Sequence, residues 1–298
     1  MKEFKFKKID AFATVNSMGN PAGYISLDSF SDITDKEMLQ IAKELKGFVN
    51  EVGYIVKTSA DEFELKYYSA EREVDFCGHA TIAIMYDLLK NDIDLQQFDS
   101  LKIKTNRGVL TVENKIKEQD AVFIQAPEPF EKALLPDSKD IAKNLKIEIN
   151  EIDPDFSVSI INAGLTTLLV PIKTQVSILN IFPDIDELKE FCIKSEIDII
   201  EVFTKDVSNK SNNFRTRVFA PTFGYLEDPA TGSGNSAFGN YLLGCKLWET
   251  ETIIIEQNSF KDQYNIVKLQ KQTDGKGDIR VFFGGGAVTR MEGKYIIQ

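Results

Sequence analysis

Residues 227–244, EDPATGSGNSAFGNYLLG, place two carboxylates before a glycine-rich turn and an apolar run with helical spacing. A helix N-terminus leaves backbone N–H groups unpaired and carries a partial positive charge, so a glycine turn there lets an anion approach the backbone closely. The TGSG turn at 231–234 suits an anion site of this kind. Asp228, Thr231 and Ser233 are equally residue types that cap a helix, so this stretch alone leaves both interpretations open.

His79 and Glu51 are two further residues that could hold or transfer a proton. His79 follows Gly78 at the start of another apolar helical pattern, where the positive end of the helix dipole favours a neutral ring that can donate a hydrogen bond. Glu51 is a carboxylate among the apolar strand residues of VNEVGYIV, and such surroundings raise a carboxyl pKa toward the range that a general acid or base needs. The alternatives are a capping or core histidine and an edge-strand glutamate that reaches solvent.

Short segments rich in β-branched and aromatic residues dominate the chain and predict the strands of a mixed sheet. They include EVGYIVK, FELKYYS, AVFIQA, TTLLVPI, DIIEVFT, FRTRVFA and TIIIEQ. Four segments have helical periodicity instead: 35–46, 79–91, 184–194 and 233–247. The first is amphipathic, whereas 79–91 and 233–247 are apolar nearly all round, which is typical of helices enclosed by other structure.

The two apolar helices share the way in which the chain approaches them. EVDFCGHATIAIMYDLL and LEDPATGSGNSAFGNYLL both run from acids through a glycine into the helix, and Gly78 and Gly232 lie 154 positions apart (232 minus 78). The repeat predicts two domains of one design, each wrapping strands around a central helix, with both helix starts facing one cleft. We place the domains at residues 1–127 and 128–285, with 286–298 returning to the first.

Composition excludes several classes of partner and site. The 298 residues are 43% hydrophobic and carry a net charge of −11, without a basic stripe, so we expect a globular protein that binds neither nucleic acid nor an anionic membrane. Without a signal-peptide or membrane-spanning pattern, the expected location is cytoplasmic. Three unpaired cysteines, one histidine and the lack of nucleotide-binding glycine motifs predict no metal site and no cofactor.

Five blocks of the sequence, taken in order, resemble the signature blocks of the phenazine-biosynthesis PhzF-like isomerases. The resemblance extends from about residue 8 to the GGGAVTRMEGKYII tail, and the pairing of CGHAT with a distant EDPATGS is its most specific feature. The blocks are GNPAGYI at 19–25, NEVGYIV at 50–56, DFCGHATIA at 75–83, TRVFAP at 216–221 and EDPATGSG at 227–234.

The resemblance implies an α+β fold like that of diaminopimelate epimerase, with two pseudo-symmetric domains, each a curled mixed β-sheet around a central helix. It implies that Glu51 shuttles a proton while His79 and Asp228 protonate, orient or hydrogen-bond the substrate. The other implied substrate-binding residues are Asn20, Gly78, Gly232 and Ser233. It also implies a homodimer, no cofactor, and a small carboxylate-bearing substrate.

Two departures from related patterns bear on mechanism and substrate. Epimerases of this fold use two opposed cysteines, but Cys77 precedes the first glycine turn and the second block has no cysteine. Family members often carry a QG…GRP-like segment where this chain has EQNSFKDQYNIV at 256–267. The leading hypothesis is therefore a cofactor-free isomerase that moves a proton and a double bond. The alternatives are a non-catalytic small-molecule-binding protein and an epimerase that uses Cys77 with a non-cysteine partner.

Overall fold

The computed structural model describes residues 1–297, whose contacts divide the chain into two units. Unit 1 comprises Met1–Gln125 and the C-terminal residues from Gly284, and unit 2 comprises Ala126–Phe283. Among residues 1–297, no helix is long and apolar enough to cross a membrane.

Unit 1 contains nine strands and three α-helices within residues 1–297. The strands are β1 (Lys2–Ala11), β2 (Asn20–Leu27), β3 (Glu51–Lys57), β4 (Glu62–Ser69), β5 (Glu73–Val74), β6 (Ser100–Thr105), β7 (Gly108–Lys115), β8 (Ala121–Gln125) and β18 (Ala287–Ile297). The helices are α1 (Asp35–Glu44), α2 (Gly78–Asn91) and α3 (Ile116–Gln119).

The strands of unit 1 form a mixed sheet that curves around α2. Its order is β18-β1-β2-β3-β4-β6-β7-β8, with β5 paired to β4; β2–β3 and β4–β6 are parallel pairs and the others are antiparallel. Helix α2 contacts β18 and β8, the two ends of this order, as well as β1, β2 and β3. Nine of its fourteen residues are buried, as expected for an apolar helix enclosed by a sheet.

Unit 2 contains the remaining elements. Its strands are β9 (Phe130–Lys132), β10 (Ser159–Asn162), β11 (Thr166–Pro171), β12 (Ile199–Thr204), β13 (Phe214–Phe219), β14 (Glu227–Asp228), β15 (Thr252–Gln257), β16 (Asn265–Thr273) and β17 (Ile279–Gly285), the last of which ends in unit 1. Its helices are α4 (Ser138–Leu145), α5 (Gln175–Leu179), α6 (Ile185–Lys194) and α7 (Gly232–Gly244).

The sheet of unit 2 repeats the pairing pattern of unit 1. Its order is β9-β10-β11-β12-β13-β15-β16, with β14 paired to β13, and the parallel pairs are β11–β12 and β13–β15. Helix α7 contacts β10, β11, β12 and β16, so it has the enclosed position that α2 has in unit 1. The α+β fold with a mixed sheet around a central helix, expected from the repeat and the resemblance, is confirmed.

The four predicted helices are all present, with small shifts at their ends. The largest shift is in α7, which was expected to reach residue 247 but ends at Gly244, because Lys246 takes a left-handed φ of 58° that turns the chain out of the helix. Helix α4 was missed, since it follows closely on the domain boundary that we placed at residue 128 and begins with the polar residues SKD.

Candidate active site

Glu51 is the first residue of β3 and lies between two neighbouring strands. It pairs with Ala22 of β2 on one side and with Ser69 of β4 on the other. The edge-strand alternative is therefore wrong, because β3 is a central strand. Glu51 also lies at the beginning of the strand rather than in its apolar middle, and its side chain keeps 23% of its surface exposed.

Cys77 and His79 stand at the start of α2, close to Glu51. Cys77 is the N-cap residue of α2 in extended backbone, and its thiol donates to Glu51 Oε2 at 3.8 Å. His79 Nε2 lies 3.3 Å from the same oxygen. Burial of the His79 ring lowers its pKa to about 4, and a hydrogen bond with the backbone of Pro21 opposes this shift. The ring is neutral at pH 7, as the sequence predicts, and desolvation is the main cause of the lowered pKa.

Glu51, Cys77 and His79 form a compact group of metal-ligand types. Their oxygen, sulfur and nitrogen ligand atoms all lie within 4.8 Å of one another, and Cys77 Sγ is 3.5 Å from His79 Nδ1 and 3.9 Å from Nε2. The sequence did not predict the group, because Glu51 precedes Cys77 by 26 residues.

Two of the expected substrate-binding residues lie in unit 1 beside this group. Asn20 opens β2 and is 1% exposed, and its Oδ1 accepts a hydrogen bond from Asn50 Nδ2 at 2.9 Å. Asn50 directly precedes Glu51 in the chain, so the bond fixes the segment that enters β3. Gly78 is the first residue of α2.

Asp228 lies at the end of β14 in unit 2, where it orders the turn into α7. Thr231, the N-cap residue of α7, donates its hydroxyl to Asp228 Oδ2 at 2.6 Å. The hydroxyl therefore does not cap the helix, and among residues 1–297 no side chain of an N-cap residue caps either α2 or α7. The simpler interpretation, in which the Thr231 side chain caps α7, is therefore wrong.

Gly232 and Ser233 are the first two residues of α7. Gly232 is required by packing, because a Cβ there would lie 2.4 Å from the ring of Phe283. Ser233 is partly exposed and holds the position in α7 that His79 holds in α2. The structure thus brings Glu51 and His79 together in unit 1, and Asp228 with the start of α7 in unit 2. The expectation that both groups serve one cleft stays a prediction.

Gln257 is a residue that the sequence analysis missed. It is fully buried at the end of β15, and its Oε1 accepts from Thr231 N at 3.1 Å and from Asn235 Nδ2 at 2.6 Å. Its Nε2 donates to Asp228 O at 3.1 Å. Gln257 therefore satisfies an amide of the helix start and fixes the turn that carries Asp228. A glutamine that ends an apolar strand, as in TIIIEQ, was the available signal.

Arg217 holds the other carboxylate of the EDPATGSG block. It forms a bidentate ion pair with Glu227, with distances of 3.0 Å from Nε to Oε1 and 2.9 Å from Nη2 to Oε2. Nη1 of Arg217 also donates to the carbonyls of Ile178 and Ile181 at 2.9 and 2.7 Å. Glu227 therefore has a structural role. Asp228 is the other carboxylate of the EDPATGSG block, and it lies beside the start of α7.

Comparison with known proteins places the chain among its relatives. A family model described as phenazine biosynthesis-like protein, PhzC-PhzF, matches residues 9–293. The chain belongs to this phenazine biosynthesis-like family. A relative named "Uncharacterized isomerase YfhB", from Bacillus subtilis (strain 168), is 29% identical over 292 residues, which is 97% of each protein.

Solved structures of similar fold extend the comparison. The crystal structure of a Bacillus anthracis phenazine biosynthesis protein of the PhzF family has a TM-score of 0.87 at 22% identity, with all of both chains covered. A hydroxyproline epimerase from Agrobacterium vitis has a TM-score of 0.58 at 12% identity, covering 99% of this chain and 91% of that one. At these identities the likeness concerns the fold. The family and its named relatives together support an isomerase.

Asn258 explains one departure from the PhzF-like pattern. It follows Gln257, where the family pattern has glycine, and takes a φ of 125°, a conformation that favours glycine. Asn is tolerated because its side chain bonds locally: Oδ1 accepts from Phe260 N and Nδ2 donates to Gln263 O, both at 2.9 Å. Asn258 therefore holds, through its own side-chain bonds, a backbone conformation that a glycine would adopt without them.

Proposed function

We propose that this PhzF-like protein is a cofactor-independent isomerase that moves a proton, and with it a double bond, within a small carboxylate-bearing molecule. The observation that carries the proposal is the contact of Glu51 Oε2 with His79 Nε2 at 3.3 Å. It pairs a partly exposed carboxylate, able to take and return a proton, with a neutral imidazole, able to donate a hydrogen bond. Glu51 would act as the shuttling base and His79 as its partner in orienting substrate.

The helix starts support a carboxylate-bearing substrate. Neither Cys77 nor Thr231 caps its helix through its side chain, so the first N–H groups of α2 and α7 retain capacity for an anion, apart from the Thr231 amide that Gln257 binds. Gly78, Gly232 and Ser233 would contribute these groups, and Asp228 would bind a polar group of the substrate. Asn20 would act by holding the segment before Glu51.

An epimerase that uses Cys77 is the second candidate, favoured by the 3.8 Å contact between its thiol and Glu51. Removal of a proton from one face and its return on the other requires a second group opposite. Thr231 occupies the matching N-cap position of α7, and its hydroxyl is already bonded to Asp228. A threonine hydroxyl is a poor base, so the proton shift by Glu51 is the better supported mechanism.

The deciding experiment uses proton exchange with solvent. The protein is incubated in D₂O with a panel of unsaturated, cyclic and amino-acid carboxylates, and NMR records both the double-bond position and deuterium incorporation. A proton shift predicts a moved double bond in wild type and none in Glu51→Gln. Deuterium at a stereocentre with inversion, abolished by Cys77→Ser, would instead support the epimerase. Thermal stabilisation by a carboxylate without any exchange would support a binding protein.

A further inference from the structure

The group of Glu51, Cys77 and His79 has a second possible occupant besides a substrate. We infer that Glu51 Oε2, Cys77 Sγ and His79 Nε2 form a binding site for a thiophilic divalent cation such as Zn²⁺, which blocks the acid/base pair when bound. The inference goes beyond the proposed function, because it concerns a ligand that the isomerisation does not need.

The spacing of the three atoms is close to that of a tetrahedral zinc site. Bond lengths of about 2.3 Å to sulfur and about 2.0–2.2 Å to nitrogen and oxygen set ligand atoms roughly 3.3–3.6 Å apart around the ion. The observed separations are 3.3 Å for Nε2 to Oε2, 3.8 Å for Sγ to Oε2 and 3.9 Å for Sγ to Nε2. Small side-chain rotations would bring all three atoms to bonding distance.

The donor set selects the type of cation. One sulfur, one imidazole nitrogen and one carboxylate oxygen suit Zn²⁺, whereas Mg²⁺ and Ca²⁺ prefer oxygen alone. On binding, the Cys77 thiol would release its proton to solvent as the sulfur–metal bond forms. The His79 and Glu51 side chains are 13% and 23% exposed, so an ion can enter and keep a water as its fourth ligand.

A bound cation would prevent proton transfer by occupying the atoms that the reaction uses. Glu51 Oε2 could no longer accept a substrate proton, and His79 Nε2 could no longer form a hydrogen bond with the substrate. The site would make the protein sensitive to free zinc without making zinc a cofactor.

The test uses metal binding rather than turnover, so it does not depend on the substrate or on the proposed function. Metal-free full-length protein is titrated with Co²⁺, which reports a thiolate ligand through a sulfur-to-cobalt charge-transfer absorption, and Zn²⁺ is then added in competition. We expect one Co²⁺ per chain with this absorption, displacement by Zn²⁺, and no displacement by Mg²⁺.

Variants identify the ligands. Cys77→Ser should lose the charge-transfer absorption, and its zinc affinity should fall at least about 100-fold, since loss even of groups that only orient ligands costs about 10–100-fold. Serine is a favoured N-cap residue, so this variant should fold. Cys245→Ser is the matched control, because Cys245 is exposed, and it should keep both properties. His79→Asn and Glu51→Gln should each weaken zinc binding.

Three results would overturn the inference. The first is the absence of the thiolate absorption in wild type. The second is its survival in Cys77→Ser or its loss in Cys245→Ser, which would place the metal elsewhere. The third is unchanged zinc affinity in both His79→Asn and Glu51→Gln, which would reduce the site to a lone cysteine.

Discussion

Glu51 Oε2 lies 3.3 Å from His79 Nε2, so the first residue of a central strand meets the second residue of an enclosed helix. Each element is held by the sheet of unit 1, β3 through its two neighbouring strands and α2 through the strands that surround it. Two side chains supported in this way keep their relative geometry without depending on a loop.

Glu51→Gln should remove most turnover while leaving the fold intact. The amide is nearly isosteric with the carboxylate but cannot accept a proton, and general acid/base groups contribute about 10²–10⁴-fold in rate. Turnover is measured by the double-bond shift in NMR, and ligand binding by thermal stabilisation. Glu73→Gln, a nearby partly exposed glutamate in β5, serves as the control. A loss smaller than about tenfold for Glu51→Gln would assign the base to another residue.

Chelation should leave turnover intact. Because Glu51 and His79 supply the proposed chemistry themselves, exhaustive treatment with EDTA followed by gel filtration should not lower the rate. In protein purified with zinc, the same treatment should raise it, because a bound ion would occupy Glu51 and His79. A loss of turnover that one particular metal restores would contradict the proposed mechanism.

Asp228→Asn should lower both turnover and stability. The Thr231 hydroxyl donates to Asp228 Oδ2 at 2.6 Å, and replacement of the carboxyl group by an amide would weaken this bond at a cost of about 1 kcal/mol. Urea denaturation gives the free energy of unfolding. Thr231→Val removes the same bond from the donor side, so the double mutant should lose less stability than the sum of the two single losses. A loss equal to that sum would show that this bond is not the cause of the destabilisation.

Gln257→Leu should destabilise unit 2 more than Asp228→Asn does. It leaves the buried Thr231 N–H without its acceptor and removes one of the two acceptors of the Asn235 amide, and each unsatisfied buried group costs about 1–3 kcal/mol. Gln270→Leu is the control, because Gln270 is also buried but its side chain makes a long hydrogen bond, to Thr252 Oγ1 at 3.3 Å. Equal changes in the urea midpoint for the two variants would argue against a special role of Gln257.

The sequence was sufficient to predict the two enclosed helices and their glycine starts. Gly78 and Gly232 precede runs that are apolar on every face, and such a pattern has few structural solutions other than burial within a sheet. The same reasoning failed for α4, whose sequence SKDIAKNL has only three buried residues and resembles a polar linker. Short amphipathic helices depend on tertiary packing, which local sequence does not show.

The site was only partly predictable for a related reason. His79 and Glu51 could be chosen singly by residue type and neighbours, but their contact depends on how α2 lies against β3. Gln257 reaches Thr231 across 26 residues, and its position at the end of TIIIEQ marks it as unusual without showing which turn it holds. The φ of 125° at Asn258 was equally hidden, because a glycine would have signalled it and an asparagine does not.

Glu201 should make the stability of the protein depend on pH. It is fully buried in β12, and among residues 1–297 neither of its carboxyl oxygens has a hydrogen-bond partner. Desolvation raises the pKa of Glu201 well above its usual value of 4.5. Its Oε2 would lie 2.6 Å from a Cβ built on Gly234, so the glycine in the first turn of α7 makes room for the carboxyl group.

The sign of the pH effect follows from proton binding. Above pH 4.5 the unfolded chain loses the Glu201 proton while the folded chain keeps it, so the free energy of unfolding decreases as pH rises. The decrease is about 1.4 kcal/mol per pH unit until the pH reaches the folded-state pKa. The Glu201→Gln side chain cannot ionise. The free energy of unfolding of this variant should therefore rise relative to that of wild type, by the same amount per pH unit, as the pH increases. Any cost of burying the amide is independent of pH, so it adds the same amount to this difference at every pH.

Urea denaturation at intervals from pH 4 to pH 8 measures the difference in free energy of unfolding between Glu201→Gln and wild type, with the exposed Glu190→Gln as control. A Glu201→Gln difference that stays constant across this range would show that the buried carboxyl group ionises as readily in the folded protein as in the unfolded chain.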